Sequence, residues 1–280
     1  MPAWYKHYFI GTLQSTSMPE LPDVETFKKY LDATSLHTPI HHVEVKSPEI
    51  LSDDPETFME TVKGLSFHST KRHGKYLFVD AGETWISFHF GMTGYFQYFK
   101  SPDDDPCHDR LLFTFSNGYH LAYVCMRKFG TVELISQVQS FIEDKSLGPD
   151  TLHLDFSSFS QALEGRRGYI KSALMNQHIM AGIGNIYSDE ILFQAHIHPQ
   201  TSVANLSQDQ LRPVWKKMQH VLETAVDCQA DPQQLPDSYL IPHRHEGETC
   251  PLDGHDLQRI TVSGRTAYLC PHHQKKFTSR

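Results

Sequence analysis

The most reactive arrangement in the sequence is a proline, Pro19, that follows Met18 and precedes Glu20. If Met18 is a translation start and is removed, Pro19 becomes the N-terminus and carries a free secondary amine. Such an amine can attack a sugar carbon and form an iminium ion, and the neighbouring Glu20 could supply a proton. The same residues also suit the start of a helix, because Pro22 fits a first turn and Asp23 suits its positive end.

A second segment with chemical potential is Gly182-Ile183-Gly184-Asn185. Its glycines permit turns in which the backbone approaches a phosphate closely. A helix that begins at Asn185 would present free N–H groups to the same anion. A glycine-rich connection between two ordinary helices would have the same residues, so the segment needs support from elsewhere in the chain.

That support comes from the order of four motifs along the chain. They are the octapeptide at 18–25, Lys75, the segment at 182–187, and the region from Cys250 to Cys270. Together they resemble the formamidopyrimidine-DNA glycosylase / endonuclease VIII family of base-excision repair enzymes. The opening is more similar to the formamidopyrimidine-DNA glycosylase branch. The resemblance extends from Met18 to the end of the chain.

The resemblance implies four catalytic residues. Pro19 would displace a damaged base at C1′ and form a Schiff base that undergoes elimination, with Glu20 as its acid partner. Lys75 would transfer a proton or bind phosphate in the lesion pocket, where a lysine point charge suits a phosphate. Arg265, at a hairpin tip, would contact a phosphate with its planar guanidinium. The alternative interpretation of Lys75 is a solvated lysine at the start of a strand.

The resemblance also implies a set of DNA-binding residues. Met92 would fill the space left by the extruded base, Arg127 would point towards the orphaned base, and Phe129 would act as a wedge between base steps. The members that would contact phosphate or lie near the lesion are His89, His108, Arg166, Lys171 and Asn185. Without the resemblance, His89 and Met92 would be interpreted as core residues.

At the C-terminus the resemblance implies a zinc-finger hairpin, which in the family usually has four cysteines. The register here gives Cys250, Asp253, Cys270 and His273 as the ligands of one structural Zn²⁺. Cysteine and histidine suit zinc and aspartate can serve, but fewer thiolates weaken a structural site. His255 is an alternative fourth ligand, His272 is an alternative to His273, and a metal-free hairpin stays open.

The elements that must position these residues follow from the hydrophobic pattern. A helix is predicted from 22 to about 36. Seven short β-rich runs follow, which indicates a β-sandwich or half-barrel; they cover 40–45, 76–79, 85–90, 95–99, 111–115, 119–124 and 131–135. After residue 149 the apolar spacing becomes helical; the predicted helices cover 157–164, 168–177, 185–195 and 207–227.

The pattern predicts an α+β fold class, with an N-terminal β-sandwich and leading helix followed by a helical region. The resemblance implies that the helical region is a helix–two-turns–helix domain and that the chain ends in a zinc-finger-like β-hairpin. The predicted divisions are an extension or mis-assigned start at 1–17, a catalytic β-sandwich domain at 18–148, a helix–two-turns–helix DNA-binding domain at 149–238, and the zinc-finger-like hairpin at 239–280.

The composition is that of an ordinary globular protein, with 280 residues, 39% hydrophobic and 21% charged. No apolar run approaches the roughly 20 residues that cross a bilayer, and the start lacks a signal-peptide core. We therefore expect a cytoplasmic monomer without membrane contact. Five scattered cysteines argue against a disulfide framework. The net charge of −8 means that any DNA contact depends on a local stripe of cations.

The resemblance implies a bifunctional DNA glycosylase and abasic-site lyase that excises oxidised bases from duplex DNA in base-excision repair. Its partner is double-stranded DNA with an oxidised base or an abasic site. Formamidopyrimidines are the expected lesions, and oxidised pyrimidines stay open. Family members that prefer 8-oxoguanine usually carry a longer, glycine-containing loop before the hairpin, and the short 228–242 segment, which lacks it, puts 8-oxoguanine in doubt. One alternative is a catalytically inactive damaged-DNA-binding protein of the same fold, blocked by the extension. Another is a helix-turn-helix-like regulator.

Overall fold

The computed structural model describes residues 18–278 and divides them into two compact units. The first contains Pro19 and Asp23–Lys145, and the second contains Glu20–Pro22 and the chain from Ser146 onwards. The predicted extension at 1–17 lies outside the described residues. Within 18–278, no helix is both long and apolar enough to cross a membrane.

The first unit is built from two four-stranded antiparallel sheets. The strands are β1 (Ile40–Val45), β2 (Ser69–His73), β3 (Tyr76–Asp80), β4 (Trp85–His89), β5 (Gly94–Phe99), β6 (Asp109–Phe115), β7 (His120–Cys125) and β8 (Thr131–Ile135). One sheet has the strand order β1-β6-β7-β5 and the other β2-β3-β4-β8. Hairpin connections join β2 to β3, β3 to β4 and β6 to β7.

Side chains from both sheets share one core. Strand β6 alternates strictly between buried and partly exposed positions, as expected for a strand with one face on the core. Its Phe113 packs in the same cluster as Leu77 and Phe88 of the other sheet. Two helices, α1 (Leu21–Thr34) and α2 (Pro55–Val62), add apolar residues to this cluster. The predicted β-sandwich with a leading helix is confirmed.

One strand and two α-helices of the first unit were not predicted. They are strand β2, helix α2 and the short helix α3 (Val138–Asp144). Strand β2 pairs with β3 in regular register, with Ser69 opposite Asp80 and His73 opposite Tyr76. The sheet therefore has one strand more than the hydrophobic pattern indicated.

The second unit is helical, with a separate β-hairpin. Its helices are α4 (Phe156–Leu163), α5 (Ile170–Met175), α6 (Asn185–Gln194) and α7 (Gln208–Asp227). Helix α6 is buried on most of its surface, whereas α7 has a capping box at Ser207 and one apolar face. The four helices share one hydrophobic core.

The hairpin consists of β9 (Gln258–Val262) and β10 (Arg265–Leu269). Its two turn residues, Ser263 and Gly264, have φ of 47° and 77°, which is the signature of a type I′ turn. Phe193 of α6 packs with Cys250 and Cys270 in a small cluster beneath the hairpin. The α+β fold class, including its C-terminal hairpin, is confirmed.

Candidate nucleic-acid interface and metal cluster

Glu20 is held at the start of helix α6. It is 3% exposed, and its carboxylate accepts hydrogen bonds from the backbone N–H groups of Gly184 (2.6 Å), Ile186 (2.8 Å) and Tyr187 (3.3 Å). Free N–H groups at a helix N-terminus stabilise an anion. The glycine segment therefore fixes a carboxylate one residue after Pro19, which is itself partly buried.

Lys171, on α5, is fully buried. Its ammonium donates to Asn185 O (2.9 Å), Ser188 Oγ (2.8 Å) and Asp189 Oδ1 (2.7 Å). Burial lowers the pKa of Lys171, and the nearby Asp189 carboxylate opposes that shift. Because an ammonium has three donors and all three have acceptors within the protein, the charge of Lys171 is satisfied internally. Lys171 braces the start of α6, and its role near the lesion stays a prediction.

Asp189 is a buried ion-pair centre that the sequence analysis did not identify. Besides Lys171, it accepts from Arg244 Nε (2.9 Å) and from the backbone N–H of Tyr268 (3.1 Å). It therefore connects α5, the segment before the hairpin, and strand β10. No local pattern marks these partners, because Arg244 and Tyr268 lie 55 and 79 residues away along the chain.

The other predicted DNA-binding residues of this unit lie near the surface. Asn185 is the first residue of α6, and its Oδ1 is buried without a hydrogen-bond partner in the described structure. Arg166 is exposed, with Nε donating to Ala162 O (2.6 Å). Together with Tyr169 and Ser172, Arg166 lines a cavity of about 380 Å³. An exposed guanidinium beside an open cavity can donate hydrogen bonds to a phosphate.

Arg265 is the first residue after the type I′ turn and is exposed. The turn is anchored by Ser172 Oγ of α5, which donates to Ser263 Oγ at 2.9 Å. Gln200 also donates to the backbone of β9, at Thr261 O (3.2 Å). Arg265 is therefore presented to solvent by a hairpin tip with fixed contacts.

In the first unit, Lys75 and His89 lie at the same end of one sheet. Lys75 is buried in the tight β2–β3 turn, and His89 ends β4, with its ring 4.9 Å from that of Tyr76. Burial, with a smaller contribution from the Lys75 charge, lowers the pKa of His89 to about 4. His89 is therefore a neutral imidazole at neutral pH, which can hydrogen-bond a phosphate without adding charge to the surface.

The three residues predicted to occupy or border the space left by the flipped base lie on two loops that contact each other. Met92 is half-buried between β4 and β5, whereas Arg127 and Phe129 are exposed between β7 and β8. Phe129 is 57% exposed, and the Arg127 guanidinium lies 5.3 Å from its ring centre. The loops touch closely, since a Cβ at Gly91 would lie 2.4 Å from Phe129 C. The fold thus brings together a thioether, a guanidinium and an exposed aromatic ring.

His108 lies beside the end of β7. It has φ of 69°, and its backbone oxygen accepts from Cys125 N (3.0 Å). Arg110, which the sequence analysis missed, lies 3.4 Å from His108 Nδ1 and donates from Nε to Cys125 O (2.9 Å). The sequence feature that could have identified Arg110 is its position two residues after His108, a predicted DNA contact. Arg110 adds a cation next to the loop that carries Arg127.

The predicted metal ligands form one cluster. One ligand atom from each of Cys250, Asp253, Cys270 and His273 lies within 4.8 Å of the others. The separations are 3.7 Å for Cys250 Sγ to His273 Nδ1, 3.4 Å for Cys270 Sγ to Asp253 Oδ2, and 3.3 Å for His273 Nδ1 to Asp253 Oδ2. Zinc–ligand bonds of 2.0–2.3 Å give tetrahedron edges of about 3.3–3.8 Å. The four side chains are close enough to bind a metal, and their donor set suits zinc.

The chain matches two family descriptions that follow one another. Residues 18–132 match the formamidopyrimidine-DNA glycosylase N-terminal domain, and residues 147–236 match the formamidopyrimidine-DNA glycosylase H2TH domain. The formamidopyrimidine-DNA glycosylase of Streptococcus pyogenes serotype M3 is 33% identical over 273 residues, which are 92% of this chain and 99% of that protein. The enzyme of the same name from Lactobacillus delbrueckii subsp. bulgaricus is 33% identical over 275 residues, covering 92% and 100%.

Solved structures are similar over the same extent. Lactococcus lactis Fpg in complex with DNA containing an abasic site has a TM-score of 0.84 at 29% identity, covering 92% of this chain and all of that chain. Lactococcus lactis Fpg in complex with DNA containing Fapy-dG has a TM-score of 0.83 at 28% identity. Sequence, fold and the order of the motifs agree, and the chain belongs to the formamidopyrimidine-DNA glycosylase family.

Proposed function

We propose that this protein is a DNA glycosylase with abasic-site lyase activity, which removes oxidised bases from duplex DNA through Pro19. The observation that carries the proposal is the geometry at Glu20. Its carboxylate is buried and held by three backbone amides directly after the proposed nucleophile. A purely structural carboxylate at a helix N-terminus needs no preceding proline, and the family relationship supports a catalytic pair.

The proposed reaction begins at the sugar. The Pro19 nitrogen, as a free amine, attacks C1′ with its lone pair, and the bond from C1′ to the base breaks as the base leaves with a proton from solvent. The ammonium formed at Pro19 gives its proton to the Glu20 carboxylate. Glu20 passes this proton to the sugar ring oxygen as the bond from C1′ to that oxygen breaks and the iminium ion forms. Loss of a C2′ proton then expels the 3′ phosphate and cuts the strand. Positioned proton transfer of this kind contributes about 10²–10⁴-fold to rate.

The proposal requires that the mature protein begin at Pro19. In the full 280-residue sequence, the Pro19 nitrogen is part of the peptide bond with Met18 and has no lone pair available for attack. Removal of residues 1–18, by translation from Met18 and loss of that methionine, supplies the amine. The alternative, an inactive damaged-DNA-binding protein of the same fold, applies if the working protein keeps this peptide bond.

We propose that both units contact duplex DNA and that the protein acts as a monomer. On the first unit, Lys75 and His89 bind phosphate, while Met92, Arg127 and Phe129 occupy the space left by the flipped nucleotide. On the second unit, Asn185, Arg166 and Arg265 bind backbone phosphates. Flipping costs a few kcal/mol, less for a poorly paired lesion, so these filler residues also favour damaged sites.

Formamidopyrimidines are the proposed substrate class. The support is the relationship to proteins of that name and the similarity to Lactococcus lactis Fpg in complex with DNA containing Fapy-dG. Release of 8-oxoguanine or of oxidised pyrimidines from matched duplexes would widen this class. We also propose that Cys250, Asp253, Cys270 and His273 hold one structural zinc ion, which would fix the base of the hairpin that carries Arg265.

Borohydride trapping on duplex DNA with an abasic site tests the covalent route. A chain produced with Pro19 as its proven N-terminus should form a covalent adduct, and the same chain with residues 1–18 retained should form none. P19G should lose most of the adduct, and E20Q should retain DNA binding while trapping at least tenfold more slowly. Equal trapping by the full-length and the shortened chain would contradict the role of the Pro19 amine. DNA binding without an adduct from the shortened chain would favour the inactive binder.

A further inference from the structure

Asp253 is surrounded by more ligand atoms than one tetrahedral metal site uses. Its Oδ2 lies 3.4 Å from Cys270 Sγ and 3.3 Å from His273 Nδ1, the atoms of the cluster described above. The same carboxylate lies 3.0 Å from His272 Nδ1 and 3.4 Å from His255 Nδ1. The Asp253 carboxylate therefore also faces His255 and His272, two histidines that are not ligands in the first cluster.

These two histidines form a second trio with Asp253. Their ligand atoms and a carboxylate oxygen lie within 4.8 Å of one another. The imidazole rings are stacked, with centres 3.9 Å apart and planes 14° from parallel. The side chains of His255 and His272 are 53% and 59% exposed, in contrast to the largely buried ligands of the first cluster.

The trio consists of metal-ligand types, since imidazole nitrogens and a carboxylate oxygen each donate a lone pair to a cation. An imidazole lone pair lies in the plane of its ring, so the exposed side chains of His255 and His272 would rotate out of their stacked positions to bind one ion. Imidazole and carboxylate ligands suit zinc and other late first-row divalent ions. Three protein ligands leave a coordination position for water, which is typical of open and exchangeable sites rather than closed structural ones.

We propose that Asp253 bridges two metal ions: one in the structural cluster, and a second divalent transition-metal ion held by Asp253, His255 and His272. The second site goes beyond the proposed function, because neither base excision nor the usual hairpin with one metal requires it. It also assigns His255 and His272 to an additional ion instead of to substitute positions in the first cluster.

The position of the second site in the chain determines which part of the fold a bound ion would stabilise. Asp253 and His255 precede β9, and His272 follows β10, so an ion here connects the two chain segments that enter and leave the hairpin. A metal bound only by the folded form stabilises it by mass action. The second ion would therefore stabilise the base of the hairpin that presents Arg265, to an extent that depends on the free metal concentration.

Cobalt titration of the full chain tests the proposal. The protein is stripped of metal under reducing conditions and titrated with Co²⁺, while equilibrium dialysis counts bound metal and near-ultraviolet absorption reports cobalt bound to thiolate. Wild type should take up two equivalents, of which one produces the thiolate band. H255A/H272A should take up one equivalent with the band at full strength. H41A/H42A, which removes two exposed histidines on β1, is the matched control and should take up two.

Each other outcome overturns the proposal. A wild-type protein that saturates at one equivalent has no second site, and this count does not depend on whether a variant folds. Two equivalents retained by H255A/H272A would place the extra ion elsewhere. Loss of the thiolate band in that variant would make the histidines ligands of the first cluster. Because no arm uses DNA, failure of this proposal is separate from failure of the proposed enzyme activity.

Discussion

At the residue scale, the side chains proposed to act on DNA are fixed by backbone groups and buried charges. Glu20 accepts hydrogen bonds from three amides of the 184–187 segment, so its position follows the path of that chain. Lys171 shows the complementary case, since its charge is enclosed and paired with Asp189. Removing one partner of such a buried pair costs about 3–5 kcal/mol, because the other charge stays behind.

The depressed pKa of His89 predicts a pH-dependent stability. An ordinary histidine has a pKa near 6.5, whereas the pKa of His89 is about 4. Between these values the unfolded state binds a proton that the folded state does not, so stability falls as the pH drops from about 6.5 to 4. The full effect is about 3 kcal/mol at most, since one pKa unit corresponds to about 1.4 kcal/mol.

H89Q removes this effect and should show a shallower loss of unfolding free energy between pH 7 and pH 4.5 in urea titrations. H41Q, at an exposed position of β1, corrects for the general effect of losing a histidine. An NMR titration of wild type should place the His89 midpoint near 4. A midpoint near 6.5, with parallel stability profiles for wild type and H89Q, would contradict the burial argument.

At the element scale, the hydrophobic pattern predicted those strands and helices that have a clear apolar face. Strand β6 alternates apolar and polar residues and was found, whereas β2, with the sequence Ser-Thr-Lys-Arg-His, has no apolar residue to reveal it. Strand β2 forms because β3 offers it a partner, which is a tertiary effect. Helices α2 and α3, of eight and seven residues, lie between or after strands of the sandwich and were also missed, although α4, with eight residues, was predicted.

The candidate site was also predictable only in part, because contacts between residues distant along the chain leave no local pattern. The metal ligands were predicted from the register of the family resemblance, and the structure brings one ligand atom of each of the four within 4.8 Å of the others. The Asp189–Arg244 ion pair could not be predicted, since its partners are separated by 55 residues and each looks like an ordinary surface charge. The burial of Lys171 was also not predicted, because a sequence does not reveal which lysines are enclosed.

A substitution at Gly182 tests how strongly the turn before α6 depends on glycine. Its φ is +124°, in a region that is essentially restricted to glycine, and a Cβ would lie 2.5 Å from Leu21 Cδ1 and 2.8 Å from Thr151 Oγ1. Its backbone oxygen accepts from Leu21 N at 3.0 Å, next to the amides that hold Glu20. G182A should therefore lose about 1–3 kcal/mol of unfolding free energy.

Urea denaturation of G182A and G165A measures this effect. Gly165 has φ of +66°, and a Cβ added there would have no atom within 4 Å, so G165A isolates the cost of a positive φ without steric contact. G182A should be less stable than G165A, and it should also trap abasic DNA more slowly when produced with Pro19 at its N-terminus. Equal stability of the two variants would show that the close approach to Leu21 is easily relieved.

At the scale of the whole molecule, the chain combines an excess of acidic residues with a proposed polyanionic partner. It has 33 acidic and 25 basic residues, for a net charge of −8. The long-range field therefore opposes association with DNA, and binding must come from cations in direct contact with phosphate. Affinity should then depend on salt through the number of such contacts, because each neutralised phosphate releases bound counterions.

Two double variants with the same net charge separate local contact from overall charge. R166A/R265A removes two proposed phosphate contacts, and K63A/K216A removes two exposed lysines outside the proposed surface. Each phosphate contact contributes about 0.9 to the slope of log K against log salt, so the first variant should bind with a slope about two units shallower. The second should keep the wild-type slope. Fluorescence anisotropy with DNA containing an abasic-site analogue, over roughly 50 to 200 mM salt, measures both. If the two variants changed the slope equally, overall charge rather than the positions of Arg166 and Arg265 would govern binding.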